Sequence, residues 1–285
     1  MFITRKRLPF TTSEPSSIWF GADFHIGAAN VDYDFLIADL QEAKDTNSRI
    51  IINGDVFDAI LPKDSKRYKP EALHPRISQT STVVDATVDW GEEILAPFAD
   101  SIDVIGLGNH ETSVEKWHST DMVARLIRRL NDKHVTEEGH VIQPGGYTGF
   151  VDYRFSWDGD PAKGNCRRLV IYYHHGGGGA SPVTKGMIDF SRKANFVDSD
   201  VVVLGHKHNK ISDTGAMRMS CPMQGGDPVT KQQVFVMTGA YMDTYQKGRG
   251  GYASDWGLAP QAKGGARLLV HFDGKNGIRR LQLVH

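Results

Sequence analysis

Apolar residues in the first half of the chain fall into short, almost unbroken runs. Residues 17–22, 49–53 and 102–107 are such runs, and the second holds three isoleucines in sequence. Runs this short and this apolar read as strands buried on both faces, as in parallel sheets. Between them the period changes. Phe35, Leu36, Leu40 and Ala43 predict a helix over 34–43, with Asp32 or Asp34 as its N-cap. Val84, Val88 and Leu95 predict another over 81–98. A third helix has Met122, Val123, Leu126, Ile127 and Leu130 as its apolar stripe and is read as capped by Ser119; its arginines near the C-terminal end suit the helix dipole. The second half is richer in strands, predicted over 148–156, 168–173, 201–204, 233–238, 266–272 and 278–284, with one helix over 185–195. Alternating β and α units followed by strands predict a layered α/β or α+β fold. No repeat, low-complexity tract or linker divides the chain, so residues 1–285 read as one domain. The connection over 59–80 is long, lacks apolar periodicity and carries Lys63, Lys66, Arg67, Lys69, His74 and Arg76. Long connections in compact domains are usually functional, and this one reads as an insertion on the substrate side.

Composition narrows the classes. With 33 Lys and Arg against 34 Asp and Glu, the net charge is −1. A non-specific polyanion binder would normally be basic, so any basic surface here must be local. No run approaches the ~18 apolar residues of a membrane span. The basic stretch over 1–9 is not followed by an apolar signal-peptide core, so no secretion signal is read. Two cysteines, Cys166 and Cys221, form neither a CxxC nor a disulfide framework. A reduced, cytoplasmic setting is the expectation.

The chemistry sits where the apolar runs stop. Five polar clusters follow predicted strands: Asp23-Phe24-His25, Gly54-Asp55-Val56-Phe57-Asp58, Gly108-Asn109-His110-Glu111, His174-His175-Gly176 and Gly205-His206-Lys207-His208. Ligands gather at the carboxyl ends of strands in α/β sheets, so the five would converge on one pocket. Imidazole, carboxylate and amide oxygen without thiolate suit a catalytic transition-metal site better than a structural zinc. The donors exceed the needs of one tetrahedral ion. Two ions sharing a carboxylate would use them, as in two-metal phosphate-ester hydrolysis. Each cluster also has a plainer reading. Asp58 could cap the next segment, Glu111 could be an acid at a helix start, and residues 176–179 could be an ordinary loop. Tyr241, Tyr245 and Tyr252 could pack the core edge or roof the pocket.

Taken in order, Asp23-x-His25, Gly54-Asp55-x-x-Asp58, Gly108-Asn109-His110-Glu111, His174 and Gly205-His206-x-His208 resemble the calcineurin-like metallophosphoesterase superfamily, over residues 23–208. The resemblance implies a four-layer αββα sandwich of two mixed sheets. It implies two divalent metal ions, manganese first, with iron, zinc, cobalt, nickel or magnesium as alternatives. Asp23, His25, Asp55 and His208 would hold one ion, Asp55 would bridge, and Asn109, His174 and His206 would complete the second. His110 would protonate the leaving group and Asp58 would hold His110. A bridging water between the ions would be acid enough to attack a phosphate ester at neutral pH. Of the adjacent histidines only one should reach the metals, since neighbours in a strand point to opposite faces; the resemblance favours His174.

Within that superfamily, Ser/Thr protein phosphatases carry arginines where this chain has Ala59-Ile60 and Leu107, which disfavours that branch. The second half resembles phosphoesterases described as DNA-repair-exonuclease-like, common in bacteria and their phages. The expected activity is therefore a phosphodiesterase acting on nucleotides or single-stranded nucleic acid. A phosphomonoesterase on a small metabolite and a non-catalytic binding module are the alternatives. Neither a membrane partner nor an oligomeric state is legible.

Overall fold

Three consecutive isoleucines cannot alternate between core and solvent, so the strand that carries them must be covered on both faces. In the computed structural model, which describes residues 1–61, 68–157, 166–179, 183–221, 227–243, 259–273 and 277–284, this is so. Ile50, Ile51 and Ile52 are fully buried, each contributing about 1.5–3 kcal/mol by burial. Ile50 and Ile52 face helices, and Ile51 faces a second sheet.

The described residues form a mixed α/β fold with two six-stranded sheets. In chain order the strands are β1 (Phe2–Phe10), β2 (Ser16–Gly21), β3 (Arg49–Ile52), β4 (Ile102–Gly106), β5 (Gln143–Gly146) and β6 (Thr148–Trp157). They continue with β7 (Arg167–His174), β8 (Val201–Leu204), β9 (Ile211–Ser220), β10 (Val229–Met237), β11 (Ala266–Asp273) and β12 (Gly277–Val284). The helices are α1 (Tyr33–Asp45), α2 (Pro75–Ser78), α3 (Val83–Leu95), α4 (Asn109–His118), α5 (Met122–Lys133) and α6 (Met187–Ala194). The front sheet has the order β12-β11-β2-β3-β4-β5 and the back sheet β1-β6-β7-β8-β10-β9. In the front sheet β2 to β5 run parallel; in the back sheet β7, β8 and β10 do.

Three apolar clusters define four layers. Leu36 and Leu40 of α1, Ile94 of α3 and Leu126 and Leu130 of α5 cover the outer face of the front sheet. Ile18, Phe20, Ile51 and Val104 meet Val151, Tyr153, Ile171 and Val203 between the sheets. Phe190 of α6 packs on Tyr172, Val202, Phe235 and Met237 on the outer face of the back sheet. The αββα sandwich expected from the motifs is thus the architecture.

Several expectations are corrected. Ser119 does not cap α5. It ends α4 in a left-handed conformation, φ 52°, and Asp121 caps α5 by accepting the Ala124 N–H. The helix expected over 81–98 stops at Leu95, and a 3-10 turn, Ala96–Ser101, follows with Pro97 in its first turn. Phe35 lies off the buried stripe of α1, whose N-cap is Asp32. Of the connection over 59–80, Lys63, Lys66 and Arg67 lie outside the described residues. Arg76 is committed to Glu93 and the face of Trp90, and His74 stacks near Tyr33 and Trp90. Tyr241 is buried with its hydroxyl on Asp39, so it packs the core; Tyr245 and Tyr252 lie outside the described residues.

Candidate metal centre

Five strand ends meet at one rim of the sandwich. β2 runs into Asp23, β3 into Asp55, β4 into Asn109 and His110, β7 into His174-His175 and β8 into His206. Because β2, β3 and β4 are parallel, as are β7 and β8, these carboxyl ends lie side by side. The chain turns off β2, β3 and β8 at cost. Asp23, His25, Asp55, His206 and His208 all have positive φ, between 48° and 69°. Left-handed non-glycine residues each cost about 1–3 kcal/mol and collect at functional sites. Glycines make the close passage possible. A Cβ on Gly54 would lie 2.6 Å from the Leu107 backbone, and one on Gly108 would lie 2.0 Å from an Asp55 carboxylate oxygen.

The side chains converge in three overlapping groups whose ligand atoms lie within 4.8 Å of one another: Asp23, His25 and His208; His25, Asp55 and His110; Asp55, His175 and His206. His25 Nε2 lies 3.3 Å from His208 Nε2, and Asp23 Oδ1 lies 3.4 Å from the latter. Asp55 Oδ2 lies 3.1 Å from His175 Nε2. Asp23 and Asp55 are also held by backbone: the His206 N–H donates to Asp23 at 2.9 Å and the His110 N–H to Asp55 Oδ1 at 3.0 Å.

The expectation for the fourth motif is not met. His175, fully buried, is the histidine aimed at Asp55; His174 points to the outer face of the back sheet. There it lines a cavity of about 160 Å³ with Lys193, Lys207 and Met237. The reason is strand alternation together with Asn53, which brackets the pair. The Asn53 amide donates to the His174 carbonyl at 3.1 Å, and its own carbonyl lies 2.7 Å from His175 Nδ1. With Nδ1 donating to that carbonyl, Nε2 is the atom turned toward the carboxylate and would be the one to bind an ion. This is the way second partners orient metal-binding imidazoles.

Burial pushes the Asp23 and Asp55 carboxyls up, but the histidines beside them outweigh it and hold both below the usual carboxylate range: chiefly His208 for Asp23 and His175 for Asp55. Burial pulls His175 down, yet Asp55 and Asp23 raise it to about 9. Burial holds His25 and His206 below the usual imidazole value. Two buried carboxylates thus draw positive charge to the site; protonated His175 supplies it here, and a metal ion would displace the Nε2 proton. His25 Nδ1, His175 Nε2 and Asn109 Oδ1 are buried without a hydrogen-bond partner. Asp and His groups with lone pairs converging at ligand distance fit a metal ion.

Glu111 holds the site from behind. It is 3% exposed. Its carboxylate accepts the N–H groups of Asp55 (3.1 Å), Phe57 (2.9 Å) and Gly108 (2.8 Å), tying the second and third loops together. Burial, then the nearby Asp55, pushes its carboxyl up to about 7. Glu111 is the helix-start acid expected, in the first turn of α4, and its hold on the second loop is added by the structure; Asn53 was not singled out. The only signal for Asn53 was its place beside the motif residues. Asp58 lies between two rings: its carboxylate is 3.6 Å from His25 Nδ1 and 3.8 Å from His110 Nδ1, and its carbonyl contacts His110 Nδ1 directly.

No protein-family model and no curated protein matches the sequence.

Proposed function

We propose that this chain is a dinuclear-metal-dependent phosphoesterase, a phosphodiesterase acting on nucleotide or nucleic-acid substrates. The observation that carries the reading is the pairing of two ligand groups, Asp23–His25–His208 and Asp55–His175–His206, linked through the His25–Asp55–His110 group. The motif order resembles the calcineurin-like metallophosphoesterases and supports the same reading. Asp23, His25 and His208 would hold one ion; Asn109, His175 and His206 the other; Asp55 would serve both. Two bound dications would supply an acidified water and polarise the phosphoryl oxygens.

The chain's own part is orientation and proton transfer. Asp55 keeps one carboxylate oxygen on the His110 N–H and turns the other toward His175. The Asp58 carbonyl takes up His110 Nδ1, which leaves Nε2 as the atom able to hand a proton to a departing alkoxide. Such general-acid help is worth about 10²–10⁴-fold with poor leaving groups.

The test is hydrolysis of bis-p-nitrophenyl phosphate and p-nitrophenyl phosphate by metal-stripped protein after separate return of Mn, Zn, Co, Ni or Mg. Diester turnover restored by manganese is the expected result. Monoester turnover alone would move the assignment to a phosphomonoesterase. No turnover with any metal, in protein that binds two ions, would sink the enzymatic reading. His110→Gln should keep its metals, slow an alkyl phosphodiester on the order of 10²-fold and slow the p-nitrophenyl diester far less; equal rates with both would remove His110 from the mechanism.

A further inference from the structure

Strand register sets three arginines abreast on the outer face of the back sheet. Arg7 of β1 pairs with Arg154 of β6, and Arg154 pairs with Arg168 of β7. Like charges directly opposite one another destabilise a sheet. Arg5, one place along the same face, pairs with Asp152. That carboxylate is already shared: it lies 3.8 Å from Arg5, 3.3 Å from Arg154 and 2.8 Å from Arg168, and it is buried. Arg7 makes no ion pair among the described residues. Three guanidinium groups thus share the Asp152 carboxylate, with Arg7 beside them and Asp198 and Asp200 acting further on Arg168, on a chain whose net charge is −1. Toward the metal rim the next cross-strand row is Ile3 (55% exposed), half-buried Phe150 and buried Tyr172. The row after it ends in His174, whose neighbour His175 faces the metal centre. Six residue steps along β7 take Arg168 to His174, about 20 Å of strand. α6 covers the β8–β10 side and reaches Tyr172 through Phe190; the three arginines lie outside that cluster.

Guanidinium groups suit phosphate oxygens, and exposed Ile3 and the half-buried Phe150 ring beside them offer apolar surface to unpaired bases. We infer that this face binds the backbone of a single-stranded polynucleotide and leads it over the rim to the metal centre. This rests on the phosphodiesterase reading and names its substrate class. A small diester is too short to reach from the rim to the arginines, so its turnover reports the metal centre separately.

The experiment is fluorescence anisotropy with a labelled, phosphorothioate-linked oligothymidylate of about 20 nucleotides, several single-strand site sizes long. Affinity is measured between about 50 and 200 mM salt. Each phosphate neutralised contributes about 0.7 to the salt slope on single strands, so Arg7, Arg154 and Arg168→Gln should flatten it by about 2. Affinity at the lowest salt should fall on the order of 10- to 100-fold. Arg7→Gln breaks no ion pair among the described residues and guards against misfolding; it should flatten the slope by about 0.7. Unchanged affinity and slope in both variants, or no binding by the wild type at low salt, overturns the inference. Turnover of bis-p-nitrophenyl phosphate without oligonucleotide binding defeats this inference alone. Binding through the arginines with no ester turnover defeats the enzymatic reading instead.

Discussion

His175 rests its Nδ1 on the Asn53 carbonyl and turns its Nε2 toward Asp55, while His174, next to it, accepts the Gly176 N–H and faces the outside of the sheet. Two variants separate their roles. His175→Ala should cost the protein at least half of its bound metal and nearly all of its turnover. His174→Ala should keep both ions, measured by metal analysis of the purified protein; loss of an ion there would return the ligand role to His174. The residue scale also shows what a sequence can and cannot tell. Asp23, His25, Asp55, His206 and His208 were legible because each follows an apolar run and carries a ligand atom. The choice between His174 and His175 was not, because adjacent histidines fit the motif equally and only the packing of β7 decides between its faces. Glu111 was legible as an acid at a helix start, but not its tie to the second loop, because those partners are backbone N–H groups, which leave no mark on residue identity.

At the scale of elements, α4 and the two loops beside it behave as one piece. Glu111 sits in the first turn of α4 and accepts three N–H groups from the second and third loops. Each buried N–H left without an acceptor costs about 1–3 kcal/mol. Glu111→Ala should therefore lower the melting temperature, by roughly 2–4 °C per kcal/mol lost, and weaken metal uptake though it touches no ion. Glu111→Gln, which keeps the shape and one acceptor, should do less. Equal melting and metal affinity in the alanine variant would show that the tie does not hold the loops. Elements were legible where burial was two-sided. β8, Val201–Leu204, was read with its true ends because all four residues are buried. β9 was missed because it is an edge strand whose Met217 and Met219 are exposed, leaving no alternation to read. β1 was missed for its charges: its arginines face outward while Thr4 and Phe10 face the core. Ser119 looked like a cap because serine suits one, yet Asp121 lies nearer the first buried turn.

Across the molecule, polar groups join the sheets at the start of β4, at the opposite end of that strand from the cluster. Asp103, fully buried, binds Arg49 and accepts the Tyr153 hydroxyl at 2.6 Å, with Lys6 3.4 Å away. Removing one partner of a buried pair costs about 3–5 kcal/mol. Asp103→Ala should lower thermal stability by that order and leave metal content unchanged; a drop in bound metal would show that the two ends are coupled. Acid should act elsewhere too. Burial raises the Asp152 carboxyl, but Arg168 and then Arg154 outweigh it and hold it below its usual value. A depressed carboxylate stabilises above its unfolded value of about 3.9 and loses that contribution as pH falls through the folded value. Metal-free protein should melt at lower temperature as pH drops below about 4. Asp152→Asn should be less stable at neutral pH and less sensitive to acid; an unaltered acid limb would acquit Asp152. β7 itself carries an arithmetic of odd and even. It presents His175 inward and Arg168 and His174 outward, so its two faces are counted in steps of two. Inserting one residue in its middle would either exchange the histidines or turn Arg168 into the core, whereas inserting two would restore the order, so length changes in this strand should be tolerated only in pairs.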